Sequence, residues 1–476
     1  MPPASAGLSI GRAGRAGQIV WGGLGSCIAM APLLAIKFAP IPIVFGFIPV
    51  AVVFAMRIPF LLCLGFVSFS FFRLHEAFPV LNPFKIPLLL ALPTLASLVW
   101  HTFATRQIKP YWNRELSAFA VFFVLVTIGV IFASNKPTAI SYWTGNYVKI
   151  GIMTLAIAWL TREPKQFFTA NYAIVFSGVA VAYVAIFNKL NGLELVEGTR
   201  VSIGRSMGSV LGDPNDLSLV LSFPLGFAIS LVITKHRMWL RALGLVAACV
   251  IIYAIICTQS RGGLLAILAV SGIAGMQVIR SKLVLGGIGA VAGMVLLAAA
   301  GVNDRQSGGA HEEGIDESAM GRIYAWGAAW NMALKNPLTG VGLDNFTENY
   351  FFYSTHWDGM NHAVHSTWFG VLGETGFLGF ISFMTMMGFT IYRAVMTKRL
   401  LEHADVPPIA KSTSLAMVAC LAGFCASGTF LTQGFTWPIY VLIAMTVGVA
   451  EYARGAVSET GESSRNSQQA GARSCK

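Results

Sequence analysis

The stretch KHRMWLRALGLVAACVIIYAIICTQSRGGLLAIL, residues 235–268, decides the fold class. Between Arg241 and Arg261 no residue carries a formal charge, and about 20 apolar residues suffice for a helix to cross a hydrocarbon core of ~30 Å. Basic residues flank the run, and a second apolar run follows at once. The pattern repeats along all 476 residues, of which 55% are hydrophobic and 11% charged. Such a chain is an integral membrane protein rather than a soluble globule.

Uncharged or nearly uncharged runs fall at 18–39, 40–56, 58–72, 84–104, 115–133, 140–160, 166–187, 215–234, 238–258, 262–279, 283–301, 366–392, 412–430 and 434–450. They predict an all-α polytopic protein with roughly twelve to fourteen transmembrane helices. The short runs on either side of Arg57 could form one hairpin or re-entrant unit, and the run near residue 150 must accommodate Lys149. The sequence divides into an N-terminal tail (1–17), a bundle (18–301) with a smaller outer loop at 188–216, a large outer loop (302–365), C-terminal helices (366–452) and a polar tail (453–476) expected to be disordered. Residues 18–39 follow two arginines as a signal peptide would. Their length and the missing small-x-small site predict a retained helix.

Basic residues near span ends stay on the cytoplasmic side. Arg12 and Arg15, TRQIKPYWNRE, TREPK at 161, KHRMWLR at 235, Arg280 with Lys282, Arg393 with Lys398 and Arg399, and the tail from Arg454 alternate with less basic loops. Both termini are then cytoplasmic. The net charge of +12 becomes a topology signal and no argument for nucleic acid. Six of the seven cysteines sit in apolar runs, so neither disulfides nor structural zinc are expected.

Chemistry is confined to the two longer outer loops. In the larger one, Ile323, Trp326, Ala329 and Trp330 recur at helical spacing, and Asn336, Pro337 and Gly340 end the predicted amphipathic helix. Arg261, followed by Gly262 and Gly263, suits an anion clamp, because guanidinium offers planar bidentate donors and glycine permits close approach. The competing reading is an interfacial anchor. Arg322 either joins such a clamp or pairs with Asp316 and Glu317. Arg200 and Arg205 precede GDPND, where Asp213 or Asn215 could cap a helix. Arg205 contacts either substrate or headgroups.

His365 is the sharpest candidate: a neutral imidazole can take a proton from a hydroxyl, although a histidine at a helix start is more often a cap or a packed residue. His362 and His365, with His356 or Asp358, match no strong zinc spacing, and no metal or cofactor is expected. Glu374 lies nine residues beyond His365, about half a turn round a straight helix, so the two should not touch.

The His365-Ser366 pair, nine residues, Gly376, two residues and Gly379 together resemble the signature of the bacterial O-antigen ligase and polysaccharide polymerase superfamily. SRGGLLA around Arg261, RSMGSVLGDPN, GRIYAW and NPLTGVGLDNF extend the resemblance over residues 195–392. DESAMGRIYAW is nearest the exosortase-associated O-glycosylation ligase branch. The resemblance implies a GT-C-like, metal-independent transferase at the periplasmic face of the bacterial inner membrane. Its donor would be an undecaprenyl-diphosphate-linked glycan, and its acceptor lipid A-core, a protein or a growing glycan. It gives Arg261, Arg322 and Arg205 to the diphosphate and His365 to acceptor activation with inversion, with Ser366, Gly262, Gly263, Gly376 and Gly379 in support. A polymerase joining repeat units shares this chemistry. A lipid-linked oligosaccharide flippase or transporter is the reading from another class, and would place ionisable groups near the midplane.

Overall fold

The computed structural model describes residues 55–300, 317–357 and 359–474. The runs at 18–39 and 40–56, the first part of the large loop and Asp358 therefore lie wholly or almost wholly outside the described residues.

The described chain is helical apart from one two-stranded hairpin. Helices α1 (Pro59–Ser70), α2 (Ile86–Val99) and α3 (Arg114–Ile131) are followed by α4 (Lys136–Tyr142), a π turn at Trp143–Tyr147, and α5 (Val148–Leu160). Helix α6 (Pro164–Leu190) leads into β1 (Leu195–Val196) and β2 (Arg200–Val201), then α7 (Pro214–Ile233), α8 (Met238–Cys257), α9 (Arg261–Gly275) and α10 (Lys282–Ala299). After the gap come α11 (Glu317–Lys335), α12 (Phe346–Tyr353), α13 (Thr367–His403), α14 (Pro408–Gly428) and α15 (Trp437–Ser474).

Among the described residues nine helices are long and apolar enough to cross a membrane, and α1 and α9 are shorter apolar helices. The chain is an all-α polytopic membrane protein. Lys149 falls in the interrupted α4–α5 pass. Helix α15 runs on to Ser474, so the tail expected without regular structure continues the helix.

Side-chain caps fix where the helices begin. Asn113, Asn135, Asp213, Ser260, Ser281 and Ser366 each accept a backbone N–H from the first turn they precede. Glu163 and Gln166 form a capping box on α6. Helix α7 is the bundle's central post, packed on α6, α8, α9 and α14, and α10 at the margin has no buried residue. Both are apolar all round. In a membrane either environment suits such a helix, because the backbone bonds are satisfied within it.

The two ends of the bundle gather different loops. At one end Arg393 Nε donates to Glu115 Oε1 at 2.7 Å, Arg162 Nη2 to the Lys109 carbonyl at 2.6 Å and Trp159 Nε1 to the Tyr111 carbonyl at 3.0 Å. At the other, Asn345 Oδ1 accepts from the Asn135 N–H at 2.8 Å and Ser134 Oγ donates to the Val341 carbonyl at 3.0 Å. The hairpin, α11, α12 and the start of α13 belong to this second end, called below the site end.

Helix α13 breaks at Gly376 (φ 68°, ψ −170°), and segment 337–346 lies in the break. Val341 N–H donates to the Gly373 carbonyl, Gly342 N–H to the Glu374 carbonyl and Phe377 N–H to the Pro337 carbonyl, at 2.8–3.0 Å. Glu374 closes the clasp by accepting the N–H groups of Asp344 (2.9 Å) and Phe346 (3.3 Å) at the start of α12. A Cβ on Gly376 would stand 2.6 Å from the Pro337 oxygen, and one on Gly340 2.4 Å from the Gly373 oxygen. Gly376→Ala is expected to cost at least about 2 kcal/mol from the left-handed backbone and this clash together. A thermal unfolding midpoint in detergent equal to that of the parent protein would refute this.

Candidate functional site

Five separate segments and the loop joining α14 to α15 meet at the site end. The hairpin of the first outer loop brings Arg200, which is 7% exposed. Its Nη2 donates to Asn215 Oδ1 at 2.9 Å and its Nε to the Thr258 carbonyl at 3.3 Å, so it ties the start of α7 to the turn before α9. Thr199 Oγ1 donates to Gln259 Oε1 at 2.9 Å beside it. Asp213, not Asn215, is the cap of α7, accepting the Asn215 N–H at 2.6 Å.

Arg261 is the first residue of α9, behind the Ser260 cap, and is half-buried. The glycines after it serve packing. A Cβ on Gly263 would lie 2.6 Å from Ser218 Cβ, which shows how closely α9 approaches α7. A Cβ on Gly262 would reach Phe430 Cβ at 3.7 Å. The guanidinium of Arg322, on α11, lies 5.7 Å over the ring of the same Phe430. Arg322 and the first turn of α9 therefore approach one aromatic side chain of the α14–α15 loop. Of the carboxylates set against Arg322 in the sequence, Asp316 and the Glu317 side chain lie outside the described residues.

His365 sits one residue before the Ser366 cap of α13, half-buried and in the left-handed region (φ 45°). A non-glycine residue holds that conformation only where its surroundings fix it. Trp326, one turn beyond Arg322 on α11, donates its indole N–H to the Val364 carbonyl at 3.2 Å and stacks on Phe369 with centroids 5.2 Å apart. On the other side Thr367 Oγ1 donates to the Leu431 carbonyl at 2.6 Å and accepts the Gln433 N–H at 3.1 Å. Gln433 Nε2 then donates to Asp216 Oδ1 at 2.6 Å, linking the histidine turn to the first turn of α7.

The electrostatics follow from this gathering. Burial is the main cause holding the His365 imidazole below its ordinary pKa of 6.5, with Arg322, His362 and Arg200 acting in the same direction and Asp213 opposing. Burial likewise pulls Arg200 down; Glu197 and Asp213 push it back, and Arg261 adds to the lowering. The site is thus a cluster of cationic side chains about a histidine held below its ordinary pKa, with one carboxylate, Asp213, acting on both His365 and Arg200.

Arg205 stands apart from these side chains. It is exposed on the next turn, where its own N–H donates to Glu194 Oε2 at 2.8 Å. A groove of about 550 Å³ lies beside that turn, lined by Glu76, Glu194, Tyr183 and Phe187, and carries carboxylates rather than arginines. Arg200 and Arg205 lie in one loop, and the hairpin register sets Arg200 in β2. No charged residue marks the α14–α15 loop that carries Phe430 and Gln433.

The remaining candidates have structural roles. Gly376 makes the break in α13, and Gly379 lies under Thr375, whose Oγ1 would be 2.2 Å from an added Cβ. Ser366 Oγ accepts the Phe369 N–H at 3.5 Å. Glu374 is occupied with the clasp, away from His365 as the spacing had indicated. His356 stacks on Tyr324 with centroids 4.5 Å apart, and His362 packs edge-on to Tyr350 at 5.3 Å. The amphipathic α11 buries Ala325, Ala328, Ala329 and Met332, whereas Ile323 and Trp330 of the predicted apolar stripe are exposed. The small residues let α11 lie close on α13, where a Cβ on Gly373 would be 3.3 Å from Ala329 Cα.

A polytopic membrane protein with a cluster of arginines and a histidine at one end of its bundle is the class that these features define. Residues 246–384 match the O-antigen ligase family model, a likeness that supports the O-antigen ligase and polymerase superfamily. The matched stretch contains Arg261, Arg322, His365, Gly376 and Gly379; Arg200 and Arg205 precede it. The match supports a membrane glycosyltransferase of ligase or polymerase type, and carries the superfamily rather than the exosortase-associated branch. No curated protein matches the chain.

Proposed function

We propose that the protein transfers a glycan from undecaprenyl diphosphate to an acceptor hydroxyl at the periplasmic face of the inner membrane, as an O-antigen ligase-type enzyme. The observation that carries this reading is the gathering of Arg200 and Arg322 about a half-buried His365, with Arg261 beside Arg200, from segments far apart in sequence. The diphosphate is already a good leaving group, so the site has to place it and stabilise the charge it gains. The three guanidinium groups bind its oxygens. His365 takes the proton as the acceptor oxygen bonds to the anomeric carbon, the bond to phosphate breaks, and the anomeric configuration inverts. Neither cofactor nor metal enters this scheme. Residues 393 and 109–115, at the opposite end, then face the cytoplasm.

The acceptor is lipid A-core or a protein hydroxyl in this reading; a polymerase would present the end of another repeat unit to the same atoms. The flippase reading is the weaker one, because the charges gather at one end of the bundle. The direct test is glycan transfer by purified protein in vesicles: transfer requiring His365 supports the ligase-type reaction, and translocation without transfer overturns it.

The lowered His365 pKa sets the sign of the pH dependence. Its neutral, proton-accepting form persists below pH 6.5 and is lost as pH falls through the depressed value. Transfer should therefore exceed half its maximum at pH 6.5, with the midpoint of its acid limb below that. An acid limb centred above 6.5 would contradict the assignment. Because Arg322 follows burial among the causes, Arg322→Gln should raise the His365 pKa in an NMR titration.

Trp326 positions the imidazole through Val364. Trp326→Phe keeps a ring against Phe369 but loses the hydrogen bond, and should lower kcat by about threefold to tenfold with donor KM little changed. An effect on donor KM alone would remove this positioning role.

A further inference from the structure

We propose that the groove between α3 and α13 is a binding site for one anionic glycerophospholipid, with an acyl chain along the groove and the phosphate at Arg114. The groove measures about 540 Å³. One wall is Arg114, Ser117, Ala118, Val121 and Leu125; the other is Leu378, Ile381, Ser382, Thr385 and Phe389. Both sets follow the spacing i, i+3, i+4, i+7, i+11, so each is a single stripe down one helix face. The small residues Ser117, Ala118 and Ser382 form the floor, and the larger ones form the ridges.

Three observations select the occupant. The first is length: from Arg114 to Leu125 the groove runs roughly 16 Å at ~1.5 Å per residue, about half of a ~30 Å hydrocarbon core. It matches the tail of a lipid from one leaflet.

The second is polarity. Val121, Leu378 and Ile381 are among the exposed apolar side chains. Two of the three wall hydroxyls are turned back on their own helices: Ser117 Oγ donates to the Asn113 carbonyl at 3.1 Å and Thr385 Oγ1 to the Ile381 carbonyl at 2.8 Å. A hydrocarbon chain meets these two hydroxyls already satisfied.

The third is charge. Arg114 stands at one end of the groove, while the adjacent Glu115 is buried and committed to Arg393 at 2.7 Å. The head of the groove is therefore cationic. This end lies opposite Arg200, Arg261 and Arg322, so a lipid with its phosphate at Arg114 is distinct from any diphosphate held at the site end, and the inference stands apart from the proposed reaction.

The test is native mass spectrometry of the full-length protein after stepwise delipidation, with phosphatidylglycerol and phosphatidylcholine of identical chains as probes. The parent protein should retain one phosphatidylglycerol about fivefold more strongly than phosphatidylcholine, the contribution expected of one basic residue at a membrane surface. Arg114→Gln should bring the two lipids close to parity. Ala118→Trp should abolish retention by filling the floor, and Ser382→Phe does so from the other wall if the first variant fails to fold. Equal retention of both lipids by the parent protein, or an undiminished preference in Arg114→Gln, would overturn the proposal.

Discussion

His365→Ala is expected to lower glycan transfer by about a hundredfold to ten-thousandfold, the usual contribution of a positioned general base. The loss should fall on kcat, with donor KM within about threefold, because the proposed diphosphate contacts are arginines on other segments. His365→Gln separates the chemistry from the shape, since it keeps a polar side chain at the turn and removes the proton acceptor. It should be as inactive as the alanine variant. Turnover by either variant near that of the parent protein would remove His365 from the reaction, whatever the state of the fold.

The arginines should respond in the opposite sense. Arg261→Ala and Arg322→Ala are each expected to cost about 10²–10³ in kcat/KM, comparable to losing one preorganised donor to a developing anion. Transfer should fall most steeply at limiting donor. Arg200→Ala should combine that loss with lower stability, because Arg200 also bonds Asn215 and the Thr258 carbonyl inside the protein. Arg200→Lys keeps the charge without the planar fork and should recover only part of the activity. Arg205→Ala, on the exposed turn, should change transfer by less than Arg200→Ala. The reverse order would restore the sequence-based preference for Arg205 and contradict the gathering at the hairpin.

Much of this architecture is legible in the chain because lipid imposes a simple rule: a span needs an uninterrupted apolar run, and 115–133, 215–234 and 238–258 agree with α3, α7 and α8 to within a few residues. Caps such as Asp213 and Ser366 are legible for the same local reason. The break at Gly376 is not, since glycine is common within membrane helices and nothing in the spacing says that segment 337–346 enters there. Only the packing shows that the GVG segment and Gly376 form one clasp. In the site, His365 and Arg261 stand out as polar residues at span ends, and Arg322 at the start of the amphipathic stretch. The choice between Arg200 and Arg205 turns instead on a hairpin of two-residue strands, and the parts of Phe430 and Gln433 on a loop that carries no charge.

The central claim is that Arg200, Arg261 and Arg322 form one diphosphate site facing His365. A cryo-EM structure of the His365→Ala protein with undecaprenyl diphosphate tests it most directly. The account predicts phosphate density between the three guanidinium groups, with the open side toward the helix start at Ser366. Phosphate density beside Arg205 in the carboxylate-lined groove, or at the Arg114 end of the bundle, with the three arginines unengaged, would contradict it.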